Sequence, residues 1–131
     1  MASPIRIISS MATKQVLADL IALYRQAHPD TVIELESVGG VDAAKRVQAG
    51  EAFDIVALAS NAVAQLTTDG KVVAGSTVDV VRSGVALAVR SGAPHPDIGS
   101  EAAVKQAVLD ARTLGYSTGP SGVQLARLFE R

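Results

Sequence analysis

Four short segments hold most of the residues that could meet a ligand. They are Ser-Ser-Met-Ala-Thr at 9–13, Val-Gly-Gly-Val at 38–41, Ala-Leu-Ala-Ser-Asn at 57–61 and Ser-Thr-Gly-Pro-Ser-Gly at 117–122. Each follows an apolar run and feeds a helical pattern. The first backbone N–H groups of a helix have no internal partner, and the aligned peptide dipoles add partial positive charge there. Small residues at the turn let a ligand approach that backbone, so several such tips facing one point would hold an oxyanion without Lys or Arg. The candidate ligand-binding residues are Ser9, Ser10, Met11, Ala12, Gly39, Gly40, Val41, Ser60, Ser117, Ser121 and Gly122. One tip contributes roughly 0.3–1 kcal/mol when exposed and up to about 2 when partly buried. Three or four tips with hydroxyl help reach micromolar binding, about −8 kcal/mol. Gly and Ser are also what turns and caps require. Any one turn therefore reads as punctuation, and the set reads as a binding surface.

Other chemistries find less support. Val-Gly-Gly-Val lacks the G-x-G-x-x-G spacing of a dinucleotide site, and no phosphate-binding G-x-x-x-x-G-K-[ST] occurs. Gly-Pro-Ser-Gly is not a G-x-S-x-G nucleophile elbow, and nothing marks a His partner for Ser121. His28 and His95 lie beside prolines and read as solvated loop residues. Asp54 opens an apolar strand and reads as a structural hydrogen-bond partner. Lys45 and Arg46 read as the solvated face of a short helix. With no carboxylate pair and no metal-ligand cluster, no catalytic residue, metal or cofactor is expected, and the chain is not expected to be an enzyme.

The elements that must position these turns follow from hydrophobic period. Ile5–Ile8 is a buried-strand run. Over 13–27, Val16, Leu17, Leu20, Ile21, Tyr24 and Ala27 share a helical face. Residues 31–37 alternate as a strand, and a helix follows from Val41 to Ala49 with Gly50 as its C′ residue. Residues 53–60 form an apolar strand, and Asn61 can cap a helix ending near Gly70. Two further strands are expected at 78–81 and 85–90, then a helix capped by Ser100, a strand at 113–117 and a helix from Ser121. Consecutive βαβ units predict an α/β fold, a mostly parallel sheet with helices on both faces. Right-handed crossovers place every β-to-α turn on one edge, where ligands of such sheets bind.

Composition narrows the partners. The 131 residues are 48% hydrophobic but only 3% aromatic, so the core must be Ala, Val, Leu and Ile. The net charge of −1 gives no electrostatic case for nucleic acid or an anionic membrane. No apolar run approaches the ~20 residues that span a bilayer, so no membrane insertion is expected. There is no cysteine. Met-Ala-Ser-Pro-Ile-Arg enters a strand without the basic and apolar regions of a secretory leader. The expected location is the periplasm if a leader was removed, and the cytoplasm otherwise.

The segment from Ile5 to Ser60, IRIISSMATKQVLADLIALYRQAHPDTVIELESVGGVDAAKRVQAGEAFDIVALAS, resembles the first lobe of type II periplasmic binding proteins. The branch it is most similar to is the molybdate-binding (ModA-like) group of ABC-transporter solute receptors. SGVALAVRSGAPHPDI resembles the strand leaving that lobe, and ARTLGYSTGPSGVQLARLFER resembles a second-lobe strand and helix start. The resemblance implies a first lobe at 1–84, a crossover at 85–95 and part of a second lobe at 96–131. It implies a small anionic ligand clamped between lobes and a transporter permease as partner. In that branch turn hydroxyls help hold tetrahedral oxyanions, whereas this chain has Ala12, Gly39 and Gly40 at the matching places. Another oxyanion or a small organic acid therefore stands beside molybdate. The same fold also serves as a cytoplasmic ligand-sensing domain, which stays open as an alternative. The resemblance further suggests truncation at Arg131, leaving the apolar set Leu125, Leu128 and Phe129 to be covered, for example by a second copy of the chain.

Overall fold

The structure, a computed structural model, describes residues 2–131. The described residues form two compact units, 2–82 and 83–131.

The first unit is built on three parallel strands: β1 (Ile5–Ser10), β2 (Ile33–Val38) and β3 (Ile55–Ala57), in the order β2-β1-β3. Ile5 pairs with Ile33 and Ser10 with Val38, while Ile7 pairs with Ile55 and Ser9 with Ala57. The central strand is the most buried of the three, as a strand covered on both faces must be. Ile7 and Ile8, which point to opposite faces, are both buried.

A 3-10 turn (Met11–Thr13) leads from β1 into helix α1 (Lys14–Ala27). Helix α2 (Gly40–Gln48) joins β2 to β3, and α3 (Ser60–Thr68) follows β3. The core lies under α2 and α3. Ile8 packs with Ala43 and Val47 of α2 and Leu66 of α3, and Val38, Phe53, Val56, Leu58 and Val72 close around them. Helix α1 adds nothing to this cluster and buries no residue completely.

Both α2 and α3 end in the same way. Gly50 (φ 91°) and Gly70 (φ 69°) occupy the left-handed region that a side chain disfavours. Gly50 N–H donates to the Val47 carbonyl and Glu51 N–H to that of Arg46, with Gly70 and Lys71 doing the same onto Thr67 and Leu66. This doubled turn satisfies two orphan carbonyls and reverses the chain sharply. It also brings Glu51 back beside the helix it has just left.

The second unit contains helices α4 (Glu101–Asp110) and α5 (Pro120–Phe129). Ser100 caps α4, its hydroxyl accepting from Ala103 N–H at 3.1 Å. The strands expected at 78–81, 85–90 and 113–117 are absent from the described residues. Their side chains favour β structure, but a strand exists only where a neighbour takes its N–H and C=O groups. No strand pairs with them here, and Val78, Val80, Val85 and Leu87 stay exposed. Asn61 is also not a cap. Ala59 takes that position and the helix begins one residue before Asn61.

Candidate functional site

The three turns of the first unit lie along one edge of its sheet. Strands about 4.8 Å apart that end at Ser10, Val38 and Ala57 bring the helix starts at Met11, Gly40 and Ser60 close together. The chain runs outward from β1 to β2 and then returns past β1 to β3. Ser10 therefore sits where the direction of winding reverses, the usual position of a ligand crevice in such sheets.

The tips are open. Ser10, Thr13, Gly39 and Ala59 occupy the cap positions before the 3-10 turn, α1, α2 and α3, and none offers a side-chain cap to the helix amides. In α4, by contrast, a serine does so. Met11, Ala12, Gly39, Val41 and Ser60 are exposed, while Ser10 and Gly40 are half-buried. Gly40 faces Ser10 so closely that a Cβ on it would lie 3.6 Å from the Ser10 Cβ. The start of α2 thus meets the end of β1 where the 3-10 turn begins, and the missing side chain at Gly40 leaves the space between them open.

Ser9 is placed differently from its neighbours. It is completely buried. Its Oγ lies 2.7 Å from Ser37 Oγ, its register partner on β2, and donates to the Ser10 carbonyl at 3.0 Å. That geometry makes Ser37 the donor to Ser9 and spends both protons internally. Ser9 therefore forms the floor under the tips, while Ser10 reaches the edge. The period of two in Ile-Arg-Ile-Ile-Ser-Ser, which puts Ser9 on the face of Ile5 and Ile7, was the signal for this.

The turn at 117–122 belongs to the second unit. Ser117 Oγ and Ser121 Oγ lie 2.9 Å apart, and Gly119 and Pro120 open α5. Gly122 is buried against the Ser117 carbonyl, whose oxygen a Cβ at that position would overlap. Only glycine lets the chain pass itself there. Two grooves of this unit include no residue of the turn. One is lined by Val85, Leu125 and Leu128, the other by Leu87, Val89, His95 and Ile98.

Sequence reasoning missed the charge cluster on β1, α2 and β2. Arg46 lies at the surface as expected, but it is ion-paired there rather than free. Its Nη1 and Nη2 donate to Glu36 at 2.6 and 3.1 Å, and its Nε and Nη2 donate to Glu51 at 2.7 and 2.5 Å. Arg6 joins from β1, 3.8 Å from Glu51, and donates to the Ala52 carbonyl at 2.8 Å. Both guanidinium groups lie against the Phe53 ring, 4.8 and 5.4 Å from its centroid. The Arg46 hydrogen bonds hold the Glu36 and Glu51 carboxyls below the ordinary glutamate range and push the Arg46 pKa up. The clue in the sequence was Glu36, an outward position of β2, ten residues before an arginine toward which the Gly50 turn sends Glu51 back. Asp54 is the structural partner expected: it accepts from Arg6 N–H at 2.8 Å and extends the pairing of β1 with β3.

Among the described residues no group of three or more His, Cys, Asp or Glu could hold a metal ion. No helix among them is long and apolar enough to cross a membrane.

Comparison with known proteins fits this geometry. Residues 5–131 match the family model described as bacterial extracellular solute-binding protein. The chain belongs to that family. Its sheet edge of open helix tips is accordingly part of a solute-binding fold. A curated relative, aconitate isomerase from Pseudomonas sp, is 40% identical over 83 residues, which are 63% of this chain and 32% of the relative. The chain thus spans about a third of the length of the curated relative it matches. No solved structure matches it.

Proposed function

We propose that this solute-binding chain holds a small carboxylate anion at the edge formed by Ser10–Ala12, Gly39–Val41 and Ser60. The observation that carries the reading is the convergence of uncapped helix starts, with Gly40 against Ser10 and no side chain between them. Amide donors suit any oxyanion. Two features favour carboxylate over molybdate. Ala12, Gly39 and Gly40 offer no hydroxyl, and the relative is named for an enzyme acting on aconitate, a tricarboxylate. Delivery to a membrane permease is the transport form of the proposal, supported by the family. Titration calorimetry of the 131-residue chain against cis-aconitate, trans-aconitate, molybdate, sulfate and phosphate tests it. Heat from the carboxylates at micromolar to millimolar concentration is expected, and no heat from any of them overturns the proposal.

The relative's name also favours a second, catalytic reading. Isomerising an aconitate requires a base that takes a proton from the methylene carbon and returns one to the far end of the allylic system. Asp42, in the first turn of α2, is the titratable group beside Gly39: its Oδ2 lies 3.6 Å from where a Cβ on that glycine would sit. Proton NMR of cis-aconitate incubated with the chain separates the readings. Growth of the trans isomer supports catalysis, and binding without conversion supports the receptor.

A further inference from the structure

The cluster centred on Arg46 joins a short helix to two strands. Charges alternate through it, from Arg6 on β1 to Glu51 after α2, to Arg46 on α2 and to Glu36 on β2. Arg46 turns two edges of one planar guanidinium toward two carboxylates, an arrangement that fixes direction as well as distance. Helix α2 also packs on the core through Ala43 and Val47, apolar contacts that lack the direction of the clasp. It is nine residues long and fully buries only Ala43 and Val47. The same helix carries Gly40, whose approach to Ser10 forms the candidate site. From Arg46 to Gly40 is six residues, about 9 Å along the axis, so a 10° tilt about the cluster displaces the tip by about 1.6 Å. That displacement exceeds the tolerance of a hydrogen bond.

We infer that Arg46 is a positioning residue for the anion site: clasped by Glu36 and Glu51, it sets the angle at which α2 presents its open amides to Ser10. The inference rests on the function proposed above. Exposed ion pairs add little to overall stability, so the role of this one is orientation. Phe53 beneath the two guanidinium groups is packed on the core, which gives the clasp a fixed base.

The test is a nitrogen–proton correlation spectrum of the 131-residue chain carrying Arg46→Gln, with calorimetry against cis-aconitate. The Gly40, Val41 and Asp42 amide peaks are expected to move, although they lie beyond direct contact with residue 46. Affinity is expected to fall about two- to fivefold, the share of one helix tip. Arg46→Lys keeps the charge but not the fork, and should leave the tip peaks displaced. Changes confined to residues 45–53 in Arg46→Gln overturn the inference, and full recovery with Arg46→Lys overturns the role of the fork. If cis-aconitate does not bind the unmodified chain, the proposed function fails on its own and the peaks still decide the positioning role. Glu36→Gln, which loosens one arm, carries the same measurement if Arg46→Gln does not fold.

Discussion

Replacing Gly40 by alanine separates the needs of the fold from those of the ligand. Gly40 is the first residue of α2 and its backbone lies outside the left-handed region. An alanine Cβ there would meet Ser10 Cβ at 3.6 Å, an ordinary van der Waals contact. Alanine also restricts the unfolded chain and favours helix, so the variant should gain about 0.4–1 kcal/mol. The added methyl nevertheless fills the gap through which a carboxylate would reach the amides of both tips. Losing one charge-assisted hydrogen bond costs about 1.5–3 kcal/mol, roughly tenfold or more in affinity. Urea denaturation and calorimetry with cis-aconitate, run on one preparation, read both effects. A destabilised variant would mean that the Gly40–Ser10 geometry has been misread. A stabilised variant with unchanged affinity would place the ligand elsewhere.

Three further outcomes follow from other parts of the molecule. Leu66→Ala removes a side chain only 2% exposed at the heart of the α2–α3 cluster and should destabilise the first unit by about 2–5 kcal/mol, read from the urea midpoint. Because Glu36 and Glu51 are held below their ordinary pKa in the folded chain, their contribution is complete above about pH 4.3 and fades as pH falls through the lowered values. The double variant Glu36→Gln, Glu51→Gln should therefore show a shallower fall of the urea midpoint below pH 4.3 than the parent, and equal slopes would dismiss the clasp as a source of acid sensitivity. Gly122→Ala should force the Ser117 carbonyl aside, breaking the Ser117–Ser121 contact and speeding proteolysis between 116 and 122, whereas an unchanged digestion pattern would refute the close approach.

The βαβαβα order, the parallel sheet and the edge that carries the turns were legible because each rests on local pattern. The Ile5 strand, the helical face from Val16 to Tyr24 and the glycines at 50 and 70 all act within a few residues of themselves. The strands expected among Val78–Val89 failed because strand formation is a property of pairs. Their β-branched composition could not reveal that no neighbour lies beside them. The pairing of Arg46 was missed for a similar reason: its partners come from β2 and from beyond a tight turn, outside the reach of helical spacing. At the site, open amides followed from the small residues of the turns. The division between Ser9 below and Ser10 above required the strand period, which the serine pair obscures.

The hydroxyl bond between Ser9 and Ser37 also guards how the two strands align. Sliding β2 by one residue would set Glu36 or Val38 opposite Ser9 and turn Ile33 and Leu35 onto the wrong face. A buried hydroxyl that loses its mate is penalised, whereas an all-aliphatic strand would register no such objection. Two small polar side chains thus act as a key between β1 and β2, so that both strands end level and the turns that follow them share one edge.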